Sequence, residues 1–322
     1  MCLRRVISFF ALLLAFFACS SVRESALAAG ASTNLPSGNF KQELENDGLT
    51  REFLIHIPAG TKRNAPVLIL FHGGGGTARG IEAATHMDMQ SDAGGFIAVF
   101  PQGYLKHWND GRTVPARPNT NDVAFVEKII RYLKTQLYVD PARIYVVGFS
   151  DGGLFTNRLT YTITSQIAAA ACVCAPQTTI LLQMYGPYHP PLPILYMLGT
   201  SDPQMKWNGG PMAHGETISA DQTVFDSVVA NHCDRTPIVT DLPNKCTTDD
   251  CRVVRLYFPS PYGETGDDVA FYKVIGGGHR WPGGEIRDSP NLPPLGNTNQ
   301  DIDASQVIWD FVSRHHKPMG CY

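Results

Sequence analysis

Gly148-Phe149-Ser150-Asp151-Gly152-Gly153 joins the apolar, β-branched run Ile144 to Val147 to the helical stretch Leu154 to Leu159. A serine between glycines at a strand-to-helix junction has a definite chemical use. The turn is so sharp that the neighbouring backbone leaves no room for Cβ atoms, and it lifts the hydroxyl clear of the sheet edge. A plain glycine-rich turn would account for the glycines but not for a serine held between them. Near neutral pH a serine hydroxyl is a poor nucleophile, so it needs a base in reach and a carboxylate to orient that base. His279 stands in Gly276-Gly277-Gly278-His279-Arg280-Trp281-Pro282-Gly283-Gly284, a loop after the last expected strand, and is the candidate base. Asp202, in Gly199-Thr200-Ser201-Asp202-Pro203, directly follows the run Ile194 to Leu198. It is the candidate orienting acid, because α/β folds gather their reactive groups at the C-terminal ends of strands. Asp221 and Asp226 are weaker candidates, since both fall on an expected helix.

Attack on a carbonyl also creates an oxyanion, and its donors must already be in place. The stretch Phe71-His72-Gly73-Gly74-Gly75-Gly76 follows the run Pro66 to Leu70, so the Gly74 N–H is expected to act together with that of Asp151. A phosphate-binding loop is the competing reading, but the Lys-Ser/Thr pair is missing and no G-x-G-x-x-G opens a helix there. Trp281, Trp108 and Trp207 all lie near strand ends that carry these residues, so they are expected to offer flat substrate-binding surfaces. Trp309, among Val307, Ile308 and Phe311, reads as a packing residue. No metal or organic cofactor is implied.

The elements that must position these groups are legible as runs. Phe40 to Leu44 and Thr50 to Pro58 flank Asn46-Asp47-Gly48, the chemistry of a hairpin turn, so the chain is expected to open with antiparallel strands. Pro66 to Phe71, Phe96 to Phe100, Ile144 to Val147, Ile167 to Val173 and Ile194 to Leu198 read as strands buried on both faces. Arg252 to Phe258 and Val269 to Val274 would complete the sheet. Val126, Ile130, Leu133 and Leu137 step at helical spacing, and the segments Ser219 to Asn231 and Asp303 to His315 also support helices. This alternation means an α/β fold with a mostly parallel central sheet and helices on both faces. The order Ser150, Asp202, His279 along the chain is that of α/β hydrolases. No repeat or linker divides the chain, so a single catalytic domain over 29–322 is expected.

Five separated blocks carry a resemblance. They are HGGGG at His72, NDVAFVEKII at Asn121, VDPARIYVVGFSDGG at Val139, GTSDPQMKWNGG at Gly199 and GGGHRWPGG at Gly276. Between about Val67 and Phe311 the chain resembles the secreted esterase family of poly(3-hydroxybutyrate) depolymerases, feruloyl esterases and acetylxylan esterases. The resemblance implies an α/β-hydrolase fold and hydrolysis of carboxylic esters, plant cell-wall or polyester derived, with Ser150, Asp202 and His279 as the triad. The expected substrates are feruloyl-type or short hydroxyacyl esters, the indoles favouring the former, and a poly(3-hydroxybutyrate) depolymerase or acetylxylan esterase is the alternative. One position departs: many relatives have Asn after the nucleophile, where this chain has Asp151. A noncatalytic binding protein of this fold would be expected to lack a triad member, and none is missing. A peptidase of this fold would be expected to carry a propeller or lid domain, for which the chain has no room.

Composition sets the remaining bounds. The 322 residues are 43% hydrophobic and 17% charged, which excludes a disordered chain. A net charge of -3 leaves no basic surplus for a nucleic acid partner. Arg4 and Arg5 precede the apolar run Val6 to Ala18, and Ala26-Leu27-Ala28 offers small residues for cleavage, so residues 1–28 read as an export signal peptide. The expected location is secreted or periplasmic, with no stable membrane anchor. A lipid on Cys19 is the lesser alternative, because Phe16 and Phe17 fit a lipoprotein box poorly. Of the six cysteines left after cleavage, Cys321 among them, Cys172 and Cys174 are expected as buried thiols, and one disulfide is expected from Cys233 to Cys246 or Cys251. His232, adjacent to Cys233, is out of register for a zinc site. Oligomeric state leaves no mark on the sequence.

Overall fold

In the hairpin that opens the fold, β1 (Gly38–Asn46) and β2 (Leu49–Ile57) pair with Asn46 opposite Leu49, so Asp47 and Gly48 alone make the turn. Their φ angles of 52° and 75° are the two left-handed conformations that such a turn requires. The computed structural model describes residues 34–114, 119–263, 266–284 and 294–317. The expected signal peptide, Cys19 and Cys321 lie outside the described residues.

Next come β3 (Val67–Phe71), β4 (Ile97–Pro101), β5 (Ile144–Phe149), β6 (Ala169–Val173) and β7 (Ile194–Gly199). All but Phe149 are buried throughout, which is why these runs lack an apolar-polar alternation. A small two-stranded sheet of β8 (Gly210–Met212) and β9 (Gly215–Thr217) is followed by β10 (Ile238–Asp241), β11 (Arg252–Phe258) and β12 (Val269–Ile275). The main sheet has ten strands in the order β1-β2-β4-β3-β5-β6-β7-β12-β11-β10. From β4 to β12 the pairings are parallel, and at both edges they are antiparallel.

Residues alternate between two cores. Val67, Ile69 and Phe71 of β3 enter one, and Leu68 and Leu70 enter the other. On the first face lie α3 (Asp122–Tyr132), α4 (Asp151–Thr162) and α6 (Ala220–Ala230), represented by Phe125, Leu154 and Val224. On the second lie α1 (Ala78–Thr85), α2 (Met87–Gly94) and α7 (Ala304–Val312), represented by Ile81, Met87 and Ile308. A further helix, α5 (Thr179–Tyr185), follows β6. The fold is that of an α/β hydrolase.

Two-sided packing corrects the expected disulfide. Cys233 belongs to the first core and donates to the Asp267 carbonyl at 3.2 Å, whereas Cys251 is buried in the second core. A bond between them would have to cross the sheet. Cys246 lies 3.5 Å from Thr248 Oγ1, and the described cysteines are all free thiols.

A buried ion pair fixes the long loop that runs from β4 toward α3. Arg51 Nη1 reaches Asp122 Oδ1 at 2.7 Å, with side-chain exposures of 2% and 0%, and its guanidinium lies 4.2 Å from the Phe125 ring centre. Asp122 Oδ2 accepts from Asn109 N–H at 2.7 Å, while Arg51 Nη2 donates to the Gln102 carbonyl. Both terminal nitrogens of Arg51 and both carboxylate oxygens of Asp122 therefore have partners, as burial of two charges demands. The loop they hold carries His107, Trp108 and Arg112.

Candidate active site

The turn after β5 places Ser150 at φ 55° and ψ −121°, outside the regions that L-residues favour, directly before α4. Ser150 Oγ lies 2.7 Å from His279 Nε2, and His279 Nδ1 lies 2.7 Å from Asp202 Oδ2. All three side chains are buried, with relative exposures of 8%, 3% and 6%. Asp202 follows β7 and His279 follows β12, so three separate strand ends meet here. The other oxygen of Asp202 accepts from the N–H groups of Gln204 and Met205, each at 2.8 Å. A carboxylate held this way has only Oδ2 left for the imidazole.

Behind His279, the Cys174 thiol donates to the Arg280 carbonyl at 3.3 Å, and Phe149 packs against the imidazole at 5.3 Å. Burial and the neighbouring Asp202 push the Cys174 thiol well above its ordinary pKa, so it stays protonated and serves as a donor. Asp226, the alternative acid, accepts from Gln222 on its own helix at 2.6 Å.

The glycine loop after β3 is held by His72. Its Nε2 accepts from the Gly103 N–H at 3.0 Å, so the ring proton sits on Nδ1 and is donated to the Gly73 carbonyl at 2.8 Å. Gly75 N–H and Gly76 N–H are spent on the Lys106 and Gly73 carbonyls. At Gly74 a Cβ would lie 3.5 Å from the Asp151 Cβ, which places this residue against the first turn of α4. Asp151 opens that helix, so its N–H has no acceptor within the helix.

Burial lowers the pKa of His72 to about 4, and likewise that of His315, while His189 is lowered by the same cause. Between about pH 4 and 6.5 the unfolded chain binds protons at His72 and His315 that the folded chain refuses, and His189 acts in the same direction. Stability is therefore complete above that window and is lost as pH falls through it, by up to about 3 kcal/mol for a ring shifted this far. The urea midpoint is expected to drop steadily from pH 6.5 to 4. A midpoint that holds constant over this window would contradict the neutral, buried state of these rings.

Asp151, the departure noted in the sequence, is tied into the loop. Its Oδ1 accepts from Arg112 Nη2, its Oδ2 accepts from the Trp108 N–H at 3.1 Å, and His107 Nδ1 lies 3.5 Å away. Burial alone would raise its pKa, but the hydrogen bond to His107, the Arg112 charge and the Trp108 N–H together hold it below the ordinary value.

A cleft of about 680 Å³ opens on Ser150. Its lining includes Gly74, His107, Asp151, Val114, Met205 and Met212, and no tryptophan is among the described residues that line it. The expected roles of the three indoles are thereby corrected. Trp108 is fully buried, stacked on Phe155, with Nε1–H donated to the His72 carbonyl at 2.9 Å. Trp281 is 6% exposed, packs in the second core and lies 3.3 Å from Ser305 Oγ through Nε1. Trp207 stacks on Phe271, with the Lys273 ammonium 4.5 Å from its ring centre. Their amphipathic rings hold the strand-end loops in place rather than facing substrate. The cleft wall instead uses the β8–β9 hairpin, which the sequence reading missed. Its turn residues were visible in Asn208-Gly209-Gly210 and His214-Gly215, but strands of three residues carry no usable period.

No profile of a known protein family matches the chain. Over 289 residues it is 25% identical to NocK of Nocardia uniformis subsp. tsuyamanensis, a protein named as an esterase, covering 82% of this chain and 80% of that one. It is 31% identical over 168 residues to feruloyl esterase B of Piromyces equi, covering 50% of this chain but 31% of that one. The acetyl xylan esterase from Aspergillus awamori superposes with a TM-score of 0.52 at 15% identity, over 75% of this chain and 94% of that structure. At that identity the superposition speaks for the fold alone.

Proposed function

We propose that this chain, a carboxylic ester hydrolase related to the acetylxylan esterases, feruloyl esterases and polyhydroxyalkanoate depolymerases, works through an acyl-enzyme on Ser150. The observation that carries this reading is the continuous chain of hydrogen bonds from Ser150 Oγ through His279 to Asp202 at 2.7 Å each. His279 Nε2 takes the serine proton as Oγ attacks the ester carbonyl. The Gly74 and Asp151 N–H groups receive the oxyanion, and Asp202 stabilises the imidazolium. Collapse of the tetrahedral intermediate breaks the acyl carbon's bond to the alkoxy oxygen, which leaves as the alcohol with the proton from His279. Water, activated by the same imidazole, then releases the carboxylic acid and restores Ser150.

The acyl groups proposed are short aliphatic and hydroxyacyl chains. With Trp108 and Trp281 buried and Trp207 stacked on Phe271, the cleft offers the thioethers of Met205 and Met212 and the branched side chain of Val114, adaptable surfaces that accept a flexible chain as readily as a flat ring. Export supports a substrate outside the cytoplasm, on the strength of Arg4, Arg5 and the apolar run that follows them.

An aryl fluorophosphonate is expected to add its phosphonyl mass to the Ser150 peptide and to abolish turnover of 4-nitrophenyl butyrate. Label on another residue, or full activity in the labelled protein, would overturn the mechanism. In a panel with methyl ferulate, acetylated xylan and soluble hydroxybutyrate oligomers, the short-chain and hydroxyacyl esters are expected to give the highest kcat/KM. A clear preference for methyl ferulate would overturn the substrate class while leaving the mechanism standing.

A further inference from the structure

Arg112 is buried beside the reacting serine, between two carboxylates and a carbonyl. Its Nε and Nη2 lie 2.5 Å from Asp110 Oδ2, Nη2 also donates to Asp151 Oδ1, and Nη1 donates to the Ala213 carbonyl at 2.8 Å. Ala213 is the tip of the β8–β9 hairpin, and both it and Arg112 line the cleft. Asp151 thus has two opposed properties at one position. Its N–H points to a developing negative charge in the proposed mechanism, while its own carboxylate, carried on a Cβ that sits against Gly74, would repel that charge. His107 also faces the carboxylate, but it is a cation only when protonated, whereas a guanidinium keeps its charge at any pH the fold survives.

Resting on the reading of Ser150 and its oxyanion donors given above, we propose that Arg112 is a positioning residue for this reaction. It neutralises the Asp151 carboxylate, so that the backbone donor of Asp151 acts without its side chain opposing it. The fork geometry suits this task, because hydrogen bonds to Asp110 and the Ala213 carbonyl fix the guanidinium while Nη2 reaches Asp151.

A double-mutant cycle read on 4-nitrophenyl butyrate tests the assignment. Arg112→Gln is expected to lower kcat by about 100-fold, the scale of losing one oxyanion donor, with KM changed by less than about threefold. In the Asp151→Asn background the same replacement is expected to cost less than about fivefold, because the carboxylate beside the oxyanion donor is gone and Asp110, the guanidinium's other partner, is not among the residues lining the cleft. Arg112→Lys keeps the charge and is expected to stay within about tenfold of the wild-type kcat. Equal losses in both backgrounds, a rise in KM with kcat intact, or a lysine variant as impaired as the glutamine one would each overturn the proposal. Where Arg112→Gln alone does not fold, Arg112→Gln combined with Asp110→Asn and Asp151→Asn carries the test, since it buries neither carboxylate unpaired. A kcat more than about fivefold below that of Asp151→Asn alone then overturns it. Fluorophosphonate labelling of the wild type separates the two levels: absence of label at Ser150 sinks the mechanism, whereas labelled wild type without coupling sinks the role of Arg112 alone.

Discussion

Ser150→Ala and His279→Ala are each expected to lower kcat by about 10⁴ to 10⁶, and the double variant to be scarcely worse than either single one. The reason is that each group acts only through the other, so once the nucleophile is gone the base has no proton to take. Losses that multiply would contradict a shared unit, and stopped-flow measurement on 4-nitrophenyl butyrate reads the difference directly. Asp202→Asn is expected to cost about 10⁴, and the structure supplies the cause. The N–H groups of Gln204 and Met205 already claim one oxygen of this side chain. An amide would satisfy them with its oxygen and turn its NH₂ toward His279 Nδ1. That nitrogen must then accept, the ring proton moves to Nε2, and the imidazole faces Ser150 as a donor with no lone pair for the serine proton. Asp226→Asn is expected to leave kcat nearly unchanged, because that carboxylate is bonded to Gln222 along its own helix.

Gly148→Ala is expected to abolish the folded protein rather than slow it. A Cβ at Gly148 would stand 2.1 Å from the Gly152 carbonyl oxygen and 2.3 Å from its carbon, and one at Gly152 would stand 2.4 Å from the Phe71 carbonyl oxygen. These are backbone atoms of β3 and α4, each fixed by its own hydrogen-bonding partners, so nothing yields at small cost. The loss should exceed about 4 kcal/mol, a large share of the stability of any domain. Gly48→Ala is the matched comparison: its φ is also positive, at 75°, but no atom lies within 4 Å of the added carbon, so only backbone strain of about 1–2 kcal/mol applies. Thermal unfolding of the two variants should separate them widely. A Gly148→Ala protein that melts with Gly48→Ala would show that the turn has room the structure denies.

The same crowding explains why so much of the site was legible in one dimension. A strand, a serine between glycines and a helix can be arranged in few ways, because tight backbone contact forbids side chains at fixed positions, and that prohibition is written as residue type. Asp202 and His279 were legible for a related reason: both follow buried strands directly, and a parallel sheet brings the ends of its strands to one edge. The hairpin turn at Asp47 and Gly48 was readable because its φ angles select residue types locally.

Other features depend on distances between residues far apart in sequence. The helices α1 and α2 are eight residues each and are separated by His86 in a left-handed conformation, too short for a helical period to stand out. The tryptophans were recognisable as residues near the site, yet proximity along the chain says nothing about which side of a loop faces the core. Packing against Phe155, Phe271 and Ser305 decided that. Likewise, Cys233 and Cys251 are 18 positions apart but belong to opposite faces of the sheet. The cleft wall of Met205 and Met212, and the Arg112 fork between Asp110, Asp151 and Ala213, involve residues up to 101 positions apart. By itself the sequence determined which groups could do the chemistry and which strand ends carry them, because local backbone geometry restricts residue type. Only the tertiary structure decided which aromatic rings were spent on packing and what neutralises Asp151, because those outcomes rest on long-range contacts that no local pattern encodes.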